Sequence, residues 1–141
     1  MTLEDLKLEY DRLQFQYGDP SLHSIYFGGC NHRPRILFVF MNPTGRNIAS
    51  YKDWTGPHYP WIGTKNIWDL FYKVALMDKD IYDKIKSIKG KDWTVEFTEE
   101  VYRNVNKYGY FISNLGKCTQ VDARPLPDSV YQESSFYSGT K

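Results

Sequence analysis

The chain has 141 residues, the length of one ordinary domain, so we expect a single domain over 1–141 with one hydrophobic core. Eighteen Lys and Arg residues balance 17 Asp and Glu residues, and a formal net charge of +1 gives no general attraction to nucleic acid or to membranes. The longest apolar run, 36–41, is too short to cross a bilayer, so no membrane partner is expected. The acidic, amphipathic start differs from a signal peptide and predicts an intracellular protein, in the cytoplasm, nucleoid or nucleus.

Aromatic residues are unusually abundant, at 17% of the chain. We expect most of the 4 Trp, 12 Tyr and 8 Phe side chains to pack in the core, because large aromatic rings mainly serve packing. A minority lies in polar loops that contain glycine. Rings in such loops can form stacking platforms for planar ligands.

The first half of the chain predicts a helix, a strand and a long loop. Leucines at near-helical spacing predict a helix over 3–17, ended by Gly18, Asp19 and Pro20. The continuous apolar run 35–40 is typical of a strand buried on both faces in a parallel sheet. The loop that follows extends to Lys65, and a loop of this length in a small domain is more often functional than accidental.

The second half of the chain predicts further helices and a second strand. Helical periodicity predicts helices over 66–77, 80–88 and 98–108, with Asn66 and Thr98 as capping residues. A second buried strand is predicted over 110–114, and another helix over 127–131. Strands that alternate with helices favour an α/β fold with a mainly parallel sheet.

An asparagine lies at the end of each predicted strand, Asn42 just beyond the first and Asn114 as the last residue of the second. Either residue alone is equally well explained as a turn former. Ligands of parallel sheets bind beyond the carboxyl ends of the strands, however, and both asparagines are expected at that edge. Their coincidence predicts a shared pocket.

Three ordered segments carry a resemblance to a known family: FVFMNPTG at 38–45, TGPHYPWIGTKNIWDLFYKVAL at 55–76 and YFISNLGKCTQVDARPLPDSVYQE at 110–133. Together they resemble the uracil-DNA glycosylase superfamily, in the motif that activates water, the segment that brings an aromatic ring over the base, and the strand that ends in asparagine. The resemblance implies a three-layer α/β/α fold with a central, mainly parallel sheet. It also implies an intracellular hydrolase of DNA base excision repair that flips uracil or a related deaminated base out of DNA and hydrolyses its N-glycosidic bond.

The sequence departs from this family at two points. The iron–sulfur branch needs four cysteine ligands, and only Cys30 and Cys118 are present, so we expect neither a cluster nor another metal or cofactor. The family's last motif, a His-Pro-Ser-like loop, has no counterpart. The chain is therefore expected to correspond to the amino-terminal part of the family fold.

The resemblance assigns roles to residues of the three segments. It implies that Asn42 orients the attacking water and that Met41 contributes an apolar or backbone contact. Tyr59 and Trp61 are the candidates to stack on the base. Asn114 is expected to read the pairing edge of uracil, because a carboxamide presents one donor and one acceptor side by side.

Candidate DNA contacts are basic residues in or beside the two loops, and each is also explained as an ordinary surface charge. They are Arg46, Lys65, Lys73, Lys117 and Arg124. Two other functions remain open: a module that binds a free nucleotide, and a catalytically incomplete domain of the same fold that binds nucleic acid. The absence of glycine-rich phosphate-binding motifs weakens the nucleotide module, whereas the missing last motif favours the incomplete domain.

Overall fold

The structure is a computed structural model that describes residues 2–121. Arg124 and the helix predicted over 127–131 lie outside the described residues. Two short 3₁₀ turns, Ile48–Ser50 and Gly90–Asp92, occur in the loops. The helices and strands are α1 (Leu3–Tyr17), β1 (Gly28–Gly29), β2 (Ile36–Phe40), α2 (Asn66–Lys73), α3 (Lys79–Ser87), α4 (Val95–Tyr108) and β3 (Tyr110–Asn114).

The described strands form one mixed sheet in the order β1-β3-β2. β2 and β3 are parallel, with Phe40 opposite Asn114 at their carboxyl ends, whereas the short β1 pairs with β3 in antiparallel orientation. This combination of helices with a partly parallel sheet confirms the α/β class. The parallel pair also brings the two loops that follow β2 and β3 to the same edge of the sheet.

The ends of two helices differ from the prediction. α4 begins one turn before Thr98, because Thr94 is its cap and the Thr94 Oγ1 accepts a hydrogen bond from the Phe97 N–H at 3.0 Å. Thr98 is instead buried inside the helix. α2 ends at Lys73 rather than at residue 77, and Ala75 then has a positive φ of 62° that leaves the helical conformation.

Most of the aromatic residues pack in one core, as predicted. The side chains of α2 and α4 meet β3 there, and the Phe71 ring lies 5.0 Å from the Tyr110 ring. Large aromatic members of this core include Trp68, Phe71, Trp93, Phe97, Tyr102 and Tyr110.

Within residues 2–121, no helix is both long and apolar enough to cross a membrane.

The prediction that the first strand is buried on both faces is wrong. Leu37 and Val39 are 58% and 54% exposed. They lie on the sheet face opposite the core, because side chains alternate along a strand, and Phe38 and Phe40 face the core. β2 is also an edge strand of the described sheet. β3, in contrast, is buried along most of its length because it lies between β1 and β2.

Candidate functional site

The two loops that follow β2 and β3 are held together by backbone hydrogen bonds. The N–H groups of Leu115 and Gly116 donate to the carbonyl oxygens of Phe40 and Met41 at 2.6 and 2.7 Å. The Gln120 N–H donates to the Pro43 oxygen at 3.1 Å, and the Gly45 N–H donates to the Gln120 oxygen at 2.8 Å. These contacts continue the strand pairing beyond the sheet. They fix the relative position of the residues that follow each strand.

A cavity of about 260 Å³ lies at this edge of the sheet. It brings together the two predicted asparagines, the predicted aromatic Trp61, the predicted contact Met41 and the basic Arg46, so the shared pocket expected from the sequence is present. Its volume is slightly below the range of roughly 300–1,000 Å³ typical of sites for drug-sized ligands, which suits a small ligand. The remaining lining residues are Ile25, Phe40, Pro43, Thr44, Asn47, Pro60 and Thr64.

Asn42 is half-buried in the turn directly after β2. Its Nδ2 donates to the Pro43 carbonyl oxygen at 3.1 Å. This bond orients the carboxamide at the cavity wall. Because a carboxamide does not take up a proton near neutral pH, the group can position a water molecule but cannot deprotonate it.

Asn114 is the last residue of β3 and is only 5% exposed. Its main-chain oxygen accepts a hydrogen bond from the Lys117 ammonium group. Within residues 2–121, no group hydrogen-bonds its carboxamide. Asn114 lines the cavity, so a ligand there can reach its carboxamide.

Trp61 forms the aromatic part of the cavity wall. Its ring meets the edge of Phe40 with centroids 5.1 Å apart. The Trp61 Nε1 is buried and has no hydrogen-bond partner among residues 2–121. Its main chain has a positive φ of 66°, a conformation that bulky residues rarely adopt.

Tyr59, the other candidate for stacking, does not reach this cavity. Its ring packs on Tyr102 with centroids 4.3 Å apart. It borders a different cavity beside Gly28 and His58. Side chains two residues apart, such as Tyr59 and Trp61, point to the same side only when the chain between them is an extended strand. Here the positive φ of Trp61 breaks the extended conformation, so the two rings point to different cavities.

The basic residues are dispersed. Arg46 is exposed and borders the cavity, whereas Lys73 is exposed at the end of α2 and does not line it. The Lys65 Nζ donates to the Lys86 carbonyl oxygen at 2.8 Å and also lies outside the cavity wall. Lys117 is only 6% exposed, so its ammonium group is not presented at the surface, where a DNA phosphate would contact it. Arg124 lies outside the described residues.

Asn47 is a cavity residue that the sequence analysis missed. It is 5% exposed, and its Oδ1 accepts from the Ala49 N–H at 2.9 Å while its Nδ2 donates to the Tyr59 carbonyl oxygen at 2.9 Å. These bonds join the loop after β2 to the segment that carries Trp61. The position of Asn47 directly before an apolar residue pair is the signal of a capping asparagine that could have identified it.

The cysteines lie apart from the site. Cys30 is half-buried and Cys118 is buried, and neither forms a disulfide within residues 2–121. Among residues 2–121, no three His, Cys, Asp or Glu side chains form a group suited to a metal ion. Neither cysteine lines the cavity between Asn42 and Asn114.

Comparison with known proteins assigns the chain to no family. No family model matches the chain, and no curated protein or solved structure matches it.

Proposed function

We propose that this chain is a DNA glycosylase that releases uracil or a related deaminated base from DNA. The observation that carries the proposal is that Asn42, Trp61 and Asn114 line one small cavity at the carboxyl ends of two neighbouring parallel strands. The three segments that resemble the uracil-DNA glycosylase superfamily supply these residues. A buried amide, an aromatic ring and a second amide are the groups that such a reaction needs.

Recognition of the base rests on Trp61 and Asn114. A flipped base leaves the stack at a cost of a few kcal/mol, and stacking on an aromatic ring typically returns about 1–3 kcal/mol. The Asn114 carboxamide donates to uracil O4 and accepts from N3–H. Cytosine presents the opposite pattern, so it leaves buried polar groups unpaired when the carboxamide keeps one orientation.

Hydrolysis rests on Asn42. Its carboxamide oxygen orients a water molecule toward the sugar C1′, and the glycosidic bond breaks to give an oxocarbenium-like sugar and an anionic base. The base leaves with the bonding electrons, the water attacks the sugar C1′, and its proton passes to solvent, because the Asn42 carboxamide does not take it up. The Gly45 N–H takes no part in stabilising the base anion, because it already donates to Gln120.

We further propose the three-layer arrangement of that family. Two observations support it: α4 packs against β1 and β3 on the core side, and Leu3, Leu6 and Tyr10 of α1 share a cavity with residues of the opposite sheet face. Helices on both sides of a sheet with parallel strands are typical of this architecture.

A domain that binds a free base or nucleotide without hydrolysis is the second candidate. It is favoured by the scarcity of basic residues at the cavity, because Arg46 is the only candidate phosphate contact within residues 2–121 that borders it. Affinity for DNA depends on several phosphate contacts, whereas a free base or nucleotide needs few.

The proposal is tested with an oligonucleotide that contains a single deoxyuridine or deoxyinosine. The wild-type chain is expected to produce alkali-labile abasic sites, and a control strand without these bases is expected to remain intact. Binding of free deoxyuridine monophosphate without base release from the strand would favour the binding domain, and neither release from the strand nor binding of the free nucleotide would contradict both functions.

Replacement of Asn42 separates chemistry from binding. Asn42→Ala is expected to lower the rate of base release about a hundredfold or more while retaining most of the affinity for deoxyuridine-containing DNA, because it removes the group that orients water. Asn106→Ala, at an exposed position of α4, is the matched control and is expected to be unchanged. Undiminished release by Asn42→Ala rules out the assigned role.

A further inference from the structure

Lys117 is an unusual lysine because it is buried without a counter-ion. It is 6% exposed, and no carboxylate within residues 2–121 forms an ion pair with it. An ammonium group transferred from water into a protein interior costs several kcal/mol unless hydrogen bonds compensate. A lysine buried to this extent without a carboxylate partner is rare.

The contacts of Lys117 converge on the end of β3. Its Nζ donates to the main-chain oxygen of Asn114, and to the Ser113 Oγ at 3.2 Å. The same atom lies 5.2 Å from the centre of the Tyr10 ring, a distance at which the ring face attracts a cation. The ammonium group thereby links α1 to the last two residues of the strand.

Lys117 and the proposed base-binding cavity lie on opposite sides of Asn114. Lys117 borders a second, apolar cavity of about 240 Å³ on the face of Val39 and Phe111, and Asn114 borders both cavities. Lys117 does not line the first cavity. Any effect of Lys117 on a ligand there must act through Asn114.

We propose that Lys117 is a positioning residue that holds the main chain of Asn114 and thereby sets the position from which its carboxamide reads the base. The proposal rests on the proposed function for the identity of the ligand. Charge-assisted hydrogen bonds are about twice as strong as neutral ones, so the ammonium fixes the strand end more firmly than the neutral amine does.

This role makes base recognition depend on pH. Burial lowers the pKa of Lys117 to about 8, so the ammonium form is present at neutral pH and is lost as the pH rises above that value. The groups that face it are the Tyr10 phenol, whose pKa is raised by burial, the Ser113 hydroxyl and the Asn114 carbonyl. Within residues 2–121, none of these partners carries a charge at neutral pH.

The test compares Lys117→Met with Lys117→Arg. Lys117→Met keeps an apolar stem and removes the donor, and is expected to lower kcat/KM on deoxyuridine-containing DNA about tenfold, in line with the loss of one charged hydrogen bond. Its Tm is expected to change little, because removal of a buried charge offsets the loss of the hydrogen bond to the Asn114 oxygen. The wild-type rate is expected to decline above about pH 8, whereas Lys117→Arg, which stays protonated, is expected to retain its rate there.

An NMR measurement keeps this inference separate from the proposed function. The Asn114 backbone and carboxamide signals of the full chain are expected to shift with a midpoint near pH 8 in the wild type, and to remain constant in Lys117→Met. Asn114 signals that are the same in both chains across this range would overturn the role of Lys117, whatever the activity. A titrating Asn114 in a chain that releases no base would instead contradict only the proposed function.

Discussion

Trp61 combines a main-chain conformation that is unfavourable for its side chain with a position in the wall of the cavity. A positive φ of 66° costs of order 1–3 kcal/mol for a residue other than glycine. The carbonyl oxygen of Trp61 offsets part of this cost, because it accepts from the Thr64 Oγ1 at 2.9 Å and from the Trp68 Nε1 at 3.2 Å. The residue is therefore held in place by its neighbours with the ring at the cavity.

Trp61→Ala tests the stacking role. We expect the dissociation constant for deoxyuridine-containing DNA to rise roughly five- to 150-fold, the equivalent of about 1–3 kcal/mol for one stacked base. Tyr51→Ala removes an exposed ring from the same long loop and serves as the control. Equal affinities for the two variants, measured by fluorescence anisotropy, would contradict stacking on Trp61.

At the scale of elements, the loop between β2 and α2 requires glycine at position 63 but not at position 45. Gly63 has a positive φ of 81°, and a Cβ there would lie 2.8 Å from the Gly90 carbonyl oxygen. Gly45 has no such conformation, and its nearest neighbour to a new Cβ would be 3.4 Å away. Gly63 lies two residues after Trp61, so its conformation bears directly on the wall of the cavity.

Gly63→Ala and Gly45→Ala form a matched pair. Gly63→Ala is expected to lower the free energy of unfolding by more than about 1 kcal/mol, since it combines backbone strain with a collision. Gly45→Ala is expected to change it by less than about half as much. Urea unfolding monitored by tryptophan fluorescence measures both, and a Gly63→Ala chain as stable as Gly45→Ala would show that the loop conformation differs from the one described.

Sequence patterns predicted the elements well where periodicity dominates and poorly where tertiary contacts decide. The bounds of α1 and β3 agree with prediction because their apolar patterns are regular and their ends carry strong signals. Gly18 ends α1, and Gly109 separates α4 from the start of β3. Thr98 resembles a cap in sequence, but the Thr94 Oγ1 caps the Phe97 N–H and α4 begins one turn earlier. Burial of β2 could not be predicted, because it depends on which strands lie beside it.

The candidate site was predictable in part. The two asparagines could be found because each lies at the carboxyl end of an apolar strand, and the parallel pairing of these strands then brings them together. Which of the two rings, Tyr59 or Trp61, lines the cavity depends on the positive φ of Trp61, and a tryptophan in the sequence does not indicate that conformation. The burial of Lys117 depends on α1, which is distant in sequence and packs over the end of β3.

For the whole molecule, a stacked pair of histidines connects distant parts of the chain. The rings of His23 and His58 lie 3.7 Å apart and nearly parallel, and their Nδ1 atoms contact the carbonyl oxygens of Ser24 and Ala49 at 2.7 and 2.6 Å. The His58 pKa is lowered, mainly by burial. The pair joins the segment before β1 to the loop that leads to Trp61.

From the lowered His58 pKa we expect the folded chain to lose stability in acid. Because the folded chain lowers the His58 pKa, the unfolded chain binds a proton first as the pH falls below about 6.5, and the free energy of unfolding decreases with further acidification. His58→Gln is expected to reduce this dependence between about pH 7 and pH 5. His32→Gln, at an exposed position, is the control, and an identical pH dependence in wild type and His58→Gln would contradict the prediction.

The most direct test of the central claim asks whether the cavity at the ends of β2 and β3 reads the pairing edge of a base. The ¹⁵N-labelled chain is titrated with free uracil and, separately, with free cytosine, while the Trp61 indole and Asn114 carboxamide signals are followed. Uracil is expected to shift both signals in a saturable manner, and cytosine to cause much smaller shifts at equal concentration. Shifts of equal size with both bases, or none with uracil, would contradict the assignment of this cavity as a base-reading site.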